Sequence, residues 1–132
     1  MNRISQRLPH RGPALLVKEI VQRDGDRLVC EGEIPPTSAF ADGGRAPAFL
    51  ALELAAQSAA LVESSTDEEP RIGYLVRIRR AQLAAPSVPT GVRLRTEIQP
   101  LGGSGGLRMF RVRVLLDGEE IASGDLTTVL TD

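Results

Sequence analysis

The stretch AFADGGRAPAFLALELAAQSAALVE, residues 39–63, decides how this chain folds. From about Pro47 it runs through alanine, leucine and phenylalanine with neither glycine nor a further proline until Pro70, the pattern of a helix about four turns long. Pro47 stands where a first turn tolerates a missing N–H. Apolar residues surround the axis on most sides, and a helix of that kind belongs inside a core rather than on a surface. A carboxylate, Glu53, and an amide, Gln57, stand in its middle, and residues four apart lie on one helical face. An unpartnered buried carboxylate costs several kcal/mol. Glu53 therefore reads either as a site residue or as a carboxylate bonded across a subunit interface.

Upstream, PPTSAFADGGRAP (35–47) carries prolines, paired glycines and small polar residues that sustain neither helix nor ladder, so it reads as a loop. Before it, ALLVKEIVQ (14–22), DGD (24–26) and RLVCEGEI (27–34) form strand, turn and strand, a hairpin. Downstream, SSTDEEP (64–70) ends the helix in a solvated acidic connector whose consecutive carboxylates lack the convergence a metal needs. Alternating residues then predict strands at 72–83, 92–101, 107–118 and 119–130, separated by AAPSVPTG, GGSGG and DG. Such short turns make the last three strands antiparallel neighbours. The sum is an α+β domain spanning 1–132, an antiparallel sheet of five or six strands wrapped around one long helix.

The bulk numbers agree with one domain: 132 residues, 42% hydrophobic, 25% charged. Aromatics make up only 3%, without tryptophan, and the net charge is -1, so neither base stacking nor attraction to phosphate favours nucleic acid. A single cysteine, Cys30, excludes an internal disulfide and a cysteine cage for metal, and reads as a small apolar strand residue. The opening MNRISQRLPHRGPALLVKEI has too short an apolar run for a signal peptide or a membrane span, which makes the cytoplasm the expected compartment.

Three segments carry a resemblance. LPHRGPALLVKEI (8–20), PAFLALELAAQSAA (47–60) and GYLVRIRRAQLAAPSVPTGVRLRTEI (73–98), in this order and spacing, resemble the β-hydroxyacyl-acyl-carrier-protein dehydratases of the FabZ and FabA type, which have the hotdog fold. The FADGG loop looks most like a divergent branch of 3-hydroxyacyl carrier-protein dehydratases associated with aryl polyene-type lipid pathways. The resemblance implies a lyase that removes water from a 3-hydroxyacyl thioester to give the trans-2-enoyl thioester. It needs no cofactor or metal, because its substrate rides on the phosphopantetheine of an acyl carrier protein.

Carried over residue by residue, Glu53 takes the catalytic acidic position and Gln57 the amide one turn later, with Phe40 on a matching position nearby. One departure stands out: the histidine that precedes that phenylalanine in the family is Ala39 here. His10, the sole histidine, lies in the LPHR motif, where the family has a non-catalytic histidine; it reads as a turn residue or as a recruited base. Asp42 is a weaker candidate, otherwise a turn residue or cap. Dehydration needs a base for the α-proton and an acid for the departing hydroxyl. With Ala39 inert, the base is His10, Glu53 itself or a group from another subunit.

N–H groups near Ala46 to Phe49 could stabilise the thioester oxygen. Gly43 and Gly44 either admit a pantetheine-linked substrate or simply serve a turn. Arg71, Arg77, Arg79 and Arg80 form a candidate docking patch for an acidic carrier protein, or a solvated strand face. A dimer is expected, either with an identical chain or with a related, histidine-bearing dehydratase. Two other functions compete with dehydration: a non-catalytic partner subunit, and a hotdog thioesterase in which Glu53 activates water.

Overall fold

A computed structural model describes residues 14–25, 27–63 and 72–131. The predicted roles of His10 and Arg71, and the acidic connector 64–70, lie outside the described residues. The elements in chain order are β1 (Val17–Asp24), β2 (Arg27–Gly32), β3 (Arg45–Pro47), α1 (Phe49–Glu63), β4 (Ile72–Leu83), β5 (Ser87–Pro89), β6 (Leu94–Gly102), β7 (Leu107–Leu116) and β8 (Glu119–Thr131). A six-stranded antiparallel sheet runs β1-β2-β6-β7-β8-β4, and β3 pairs with β5 in a separate ribbon.

The alternation read from the sequence sets which residues meet the helix. Leu28 and Cys30 of β2, Leu94, Thr96 and Ile98 of β6, Phe110, Val112 and Val114 of β7, and Ala122 and Leu126 of β8 are buried on the face that α1 covers. Along α1, Leu50, Ala51, Leu52, Leu54, Ala55, Ser58, Ala59 and Leu61 are buried as well. This is the expected helix inside a curved sheet. Its polar groups are matched: Thr96 Oγ1 donates to Ser58 Oγ at 2.9 Å, and Ser58 Oγ donates to the Leu54 carbonyl at 2.9 Å. Burial pushes the neighbouring Cys30 thiol up to about 11, as befits an inert core residue.

Contact between β1, β2 and α1 leaves no room at Gly32. A Cβ there would lie 2.3 Å from the Leu16 carbonyl oxygen and 2.8 Å from Leu54 Cδ1. Gly32→Ala is expected to destabilise the fold by about 1–3 kcal/mol, the usual cost of overpacking. A urea midpoint equal to that of the unsubstituted chain would contradict this packing.

Beyond shifts of one to three residues at strand ends, two assignments differ from the sequence reading. Pro47 does not open the helix; it ends β3, opposite Ser87. The Ala48 N–H donates to the Pro86 carbonyl at 3.0 Å, and the helix begins only at Phe49. Likewise, the segment read as a turn around 84–91 contains β5, and part of the 35–47 loop is its partner β3. The tie between them is long-range, with Arg45 Nε donating to Ser87 Oγ at 2.7 Å and Arg45 Nη2 to the Ser87 carbonyl at 3.0 Å.

The opposite face of the sheet carries paired charges: Arg93 bridges Glu19 and Glu31, Arg111 bridges Asp125, and Arg113 bridges Glu97. Hydrogen bonding from Arg111 holds the Asp125 carboxyl below its ordinary range, and hydrogen bonding from Arg93 does the same for Glu31. Carboxyls lowered in the folded state contribute stability above their unfolded-state values and lose it as pH falls through the folded-state ones. Urea midpoints should thus hold to about pH 5 and decline below about pH 4. The decline should be shallower in the double variant Asp125→Asn, Glu31→Gln, and an unchanged acid slope there would refute the assignment.

Candidate functional site

Within α1 Phe49, Glu53, Ala56 and Ala60, all less than fully buried, fall along one stripe, turned away from the sheet. Glu53 is half-buried on that stripe, beside the 48% exposed Phe49. This placement resolves the carboxylate's apparent cost, because Glu53 points out of the core while its backbone stays in it.

Gln57 is 1% exposed and lies one turn on, and its amide is the best-anchored polar group near Glu53. Its Oε1 accepts from the N–H groups of Leu16 at 2.8 Å and Val17 at 3.3 Å. Its Nε2 donates to the Ala14 carbonyl at 2.7 Å and to Glu53 Oε1 at 3.4 Å. Two N–H donors on one side and a carbonyl on the other fix the amide's orientation. The sequence brings Glu53 and Gln57 together as expected, but the contacts with residues 14–17, some forty positions away, carry no local signal. They make Gln57 a staple between the start of the fold and the helix, with its hydrogen-bonding capacity engaged by the chain itself.

Ala39 and Phe40 are exposed in the turns that follow Ile34. The Phe40 and Phe49 rings meet edge to face, with centroids 5.6 Å apart, forming a small aromatic pair at the start of the helix. Asp42 and Arg45 pair across a tight turn, Asp42 N to Arg45 O at 2.8 Å and Arg45 N to Asp42 O at 3.1 Å. Gly43 and Gly44 form its tip with φ of 61° and 76°. Positive φ at both positions favours glycine for the turn, and the main chain of Asp42 helps form it.

The predicted donor range, Ala46 to Phe49, narrows to its end and extends to Leu50. Pro47 has no N–H and that of Ala48 is bonded, so Phe49 and Leu50 present the open N–H groups of the first turn. Arg77, Arg79 and Arg80 are exposed on β4. Among the described residues no group of side chains could hold a metal ion, and no helix is long and apolar enough to cross a membrane. A cavity of about 510 Å³ opens on the charged face of the sheet, lined by residues that include Arg27, Glu97, Arg111 and Arg113, and it contains none of the predicted site residues.

Comparisons with known proteins bear on this arrangement. A family model described as ApeP-like, ApeP dehydratase, matches residues 2–132. The chain is 31% identical over 140 aligned positions to the 3-hydroxyacyl-[acyl-carrier-protein] dehydratase FabZ of Anaeromyxobacter sp. strain Fw109-5, covering 98% of this chain and 88% of that protein. It is 33% identical over 137 positions to FabZ of Bordetella petrii, covering 93% and 89%. Its fold superimposes with a TM-score of 0.88 on a chain of the dehydratase heterocomplex ApeI:P from Xenorhabdus doucetiae, over 100% of this chain and 93% of that one, at 19% identity.

Proposed function

The chain belongs to the family of ApeP-like dehydratases, and on that premise we propose that it removes water from 3-hydroxyacyl chains carried by an acyl carrier protein, in fatty acid or polyene-type lipid synthesis. The observation that carries this reading is Glu53, half-open on the outward stripe of an otherwise buried helix and held through Oε1 by the fixed amide of Gln57. Glu53 removes the α-proton as the C–O bond to the 3-hydroxyl breaks and returns that proton to the departing oxygen, releasing water and leaving the 2,3-double bond. The Phe49 and Leu50 N–H groups bear on the negative charge that gathers on the thioester oxygen. The exposed Phe40–Phe49 pair lies beside the path of the acyl chain, and the substrate needs no cofactor beyond the phosphopantetheine that delivers it.

Ala39 favours a second reading. A methyl group cannot accept a proton, so on this reading the base is supplied in trans, and this chain works as the partner of a related dehydratase that bears the histidine. The description of the similar ApeI:P fold as a heterocomplex supports pairing of that kind.

One assay separates the readings. The purified chain is incubated with a 3-hydroxyacyl thioester of an acyl carrier protein, alone and mixed with a histidine-bearing dehydratase, while enoyl product and free thiol are followed together. Enoyl product from the chain alone establishes the first reading. Product that exceeds the dehydratase's own only in the mixture establishes the second, and thiol release without enoyl product replaces both with a thioesterase.

A further inference from the structure

The apolar pattern of α1 says little about how the helix should be turned on the sheet. Its outward stripe holds Ala56 and Ala60, and the buried positions beside them are Ala55 and Ala59. Rotation about the axis by one residue, about 100°, exchanges alanine for alanine at both levels. At the start of the helix Phe49 and Leu50 are both apolar, so only the step from Glu53 to Leu54 changes character. That step keeps the carboxyl out of the core without aiming it.

Polar groups supply the aim. Among the described residues the buried polar ones are Gln57, Ser58, Thr96 and Thr128, and the first three belong to the two ties between α1 and the strands around it. Gln57 reaches residues 14–17 through a long side chain, which tolerates some turning of the helix. Ser58 tolerates far less, because its hydroxyl sits directly on Cβ. That hydroxyl accepts from Thr96 Oγ1 at 2.9 Å and donates to the Leu54 carbonyl at 2.9 Å, so its rotor is fixed from both sides. Thr96 is β-branched and stands inside the sheet, between Cys30 of β2 and Val114 of β7. Ser58, Thr96 and Cys30 are all fully buried, where a hydrogen bond has no water to compete with it. Consecutive residues leave a helix about 100° apart, and two ties at that angle fix its rotation as one does not.

We propose that Thr96 is a positioning residue for dehydration: through Ser58 it sets the rotation of α1 on the sheet and so aims the Glu53 carboxyl at the substrate. The proposal rests on the reading in which Glu53 handles the proton. Such a group has to be held to within about 0.5 Å and 10–20°. A turn of about 10° moves an atom about 6 Å from the helix axis by about 1 Å, and an error of that size costs up to about 10²-fold in rate. Stability alone does not call for the two hydroxyls, because an apolar pair of the same shape serves a core about as well. What the hydroxyls add is direction.

Two substitutions separate aim from packing. Thr96→Val keeps the shape and removes the hydroxyl, whereas Thr96→Ser keeps the hydroxyl and removes a methyl group. Turnover is measured in whichever assembly shows activity. The Glu53 carboxyl is followed by carbon-13 NMR of glutamate-labelled protein, its signal assigned by its loss in Glu53→Gln. Thr96→Val should lower kcat about tenfold with KM within about twofold of wild type, and should shift or broaden the Glu53 signal. Thr96→Ser should keep kcat and the signal near wild type; a packing role reverses that order. An unmoved Glu53 signal in Thr96→Val, an unchanged kcat there, or an equal fall in Thr96→Ser overturns the proposal. Should Thr96→Val not fold, Ser58→Ala with Thr96→Val, which leaves neither hydroxyl stranded, is put to the same measurements. If no assembly of the wild type dehydrates, the reading of Glu53 fails by itself. The NMR comparison still decides the positioning: a displaced signal in Thr96→Val alone sustains it, and an unmoved one ends it.

Discussion

Glu53→Gln lowers the rate of enoyl formation by about 10²–10⁴-fold, the range for loss of a group that transfers a proton in the transition state. The substitution suits the test because glutamine has the same shape and retains an acceptor for Gln57 Nε2, which lies 3.4 Å from Glu53 Oε1. Substrate affinity and the urea midpoint should therefore stay close to those of the unsubstituted chain while turnover falls. Measured in whichever assembly shows activity, undiminished turnover in Glu53→Gln would sink the reading in which this carboxyl handles the proton. A large drop in stability would instead identify Glu53 as an interface or structural residue, the alternative the sequence left open.

The largest effect on stability is expected at Gln57. Leucine there has a similar volume but abandons the Leu16 and Val17 N–H groups and the Ala14 carbonyl, all of which the amide meets at 2.7–3.3 Å. Each buried group left without a partner costs about 1–3 kcal/mol, so with three such groups Gln57→Leu should lose about 3 kcal/mol or more. Gln57→Glu retains acceptors for the two N–H groups but loses the donor to Ala14 and sets a second carboxyl beside Glu53. It should be destabilised for a different reason and recover in part at acid pH. If Gln57 instead served the substrate, Gln57→Leu would keep the urea midpoint and raise KM. A loss of less than about 1 kcal/mol would rule out the staple.

These residues also show how far a sequence can be read. The central helix was legible from its unbroken apolar composition, and the buried residues of β2, β6 and β7 follow the alternation read there. The β7–β8 turn was legible from its DG dipeptide, and Asp117 and Gly118 both have positive φ, at 51° and 83°. By contrast, β3 and β5 are three residues each, too short to show a period, and exist only through pairing across forty or more residues. That pairing moved Pro47 from helix to strand. At the site, the proximity of Glu53 and Gln57 followed from helical spacing, but the remaining partners of Gln57 are main-chain atoms. No side-chain pattern announces those.

The staple has a consequence for how sequences of this kind diverge. Gln57 grips the backbone of residues 14–17 rather than their side chains, so the anchor survives many replacements there that still suit the core. Proline at 16 or 17 is the exception, since it deletes the N–H that the amide requires. Drift at the start of the fold can therefore proceed while the orientation of the Glu53 carboxyl is inherited unchanged.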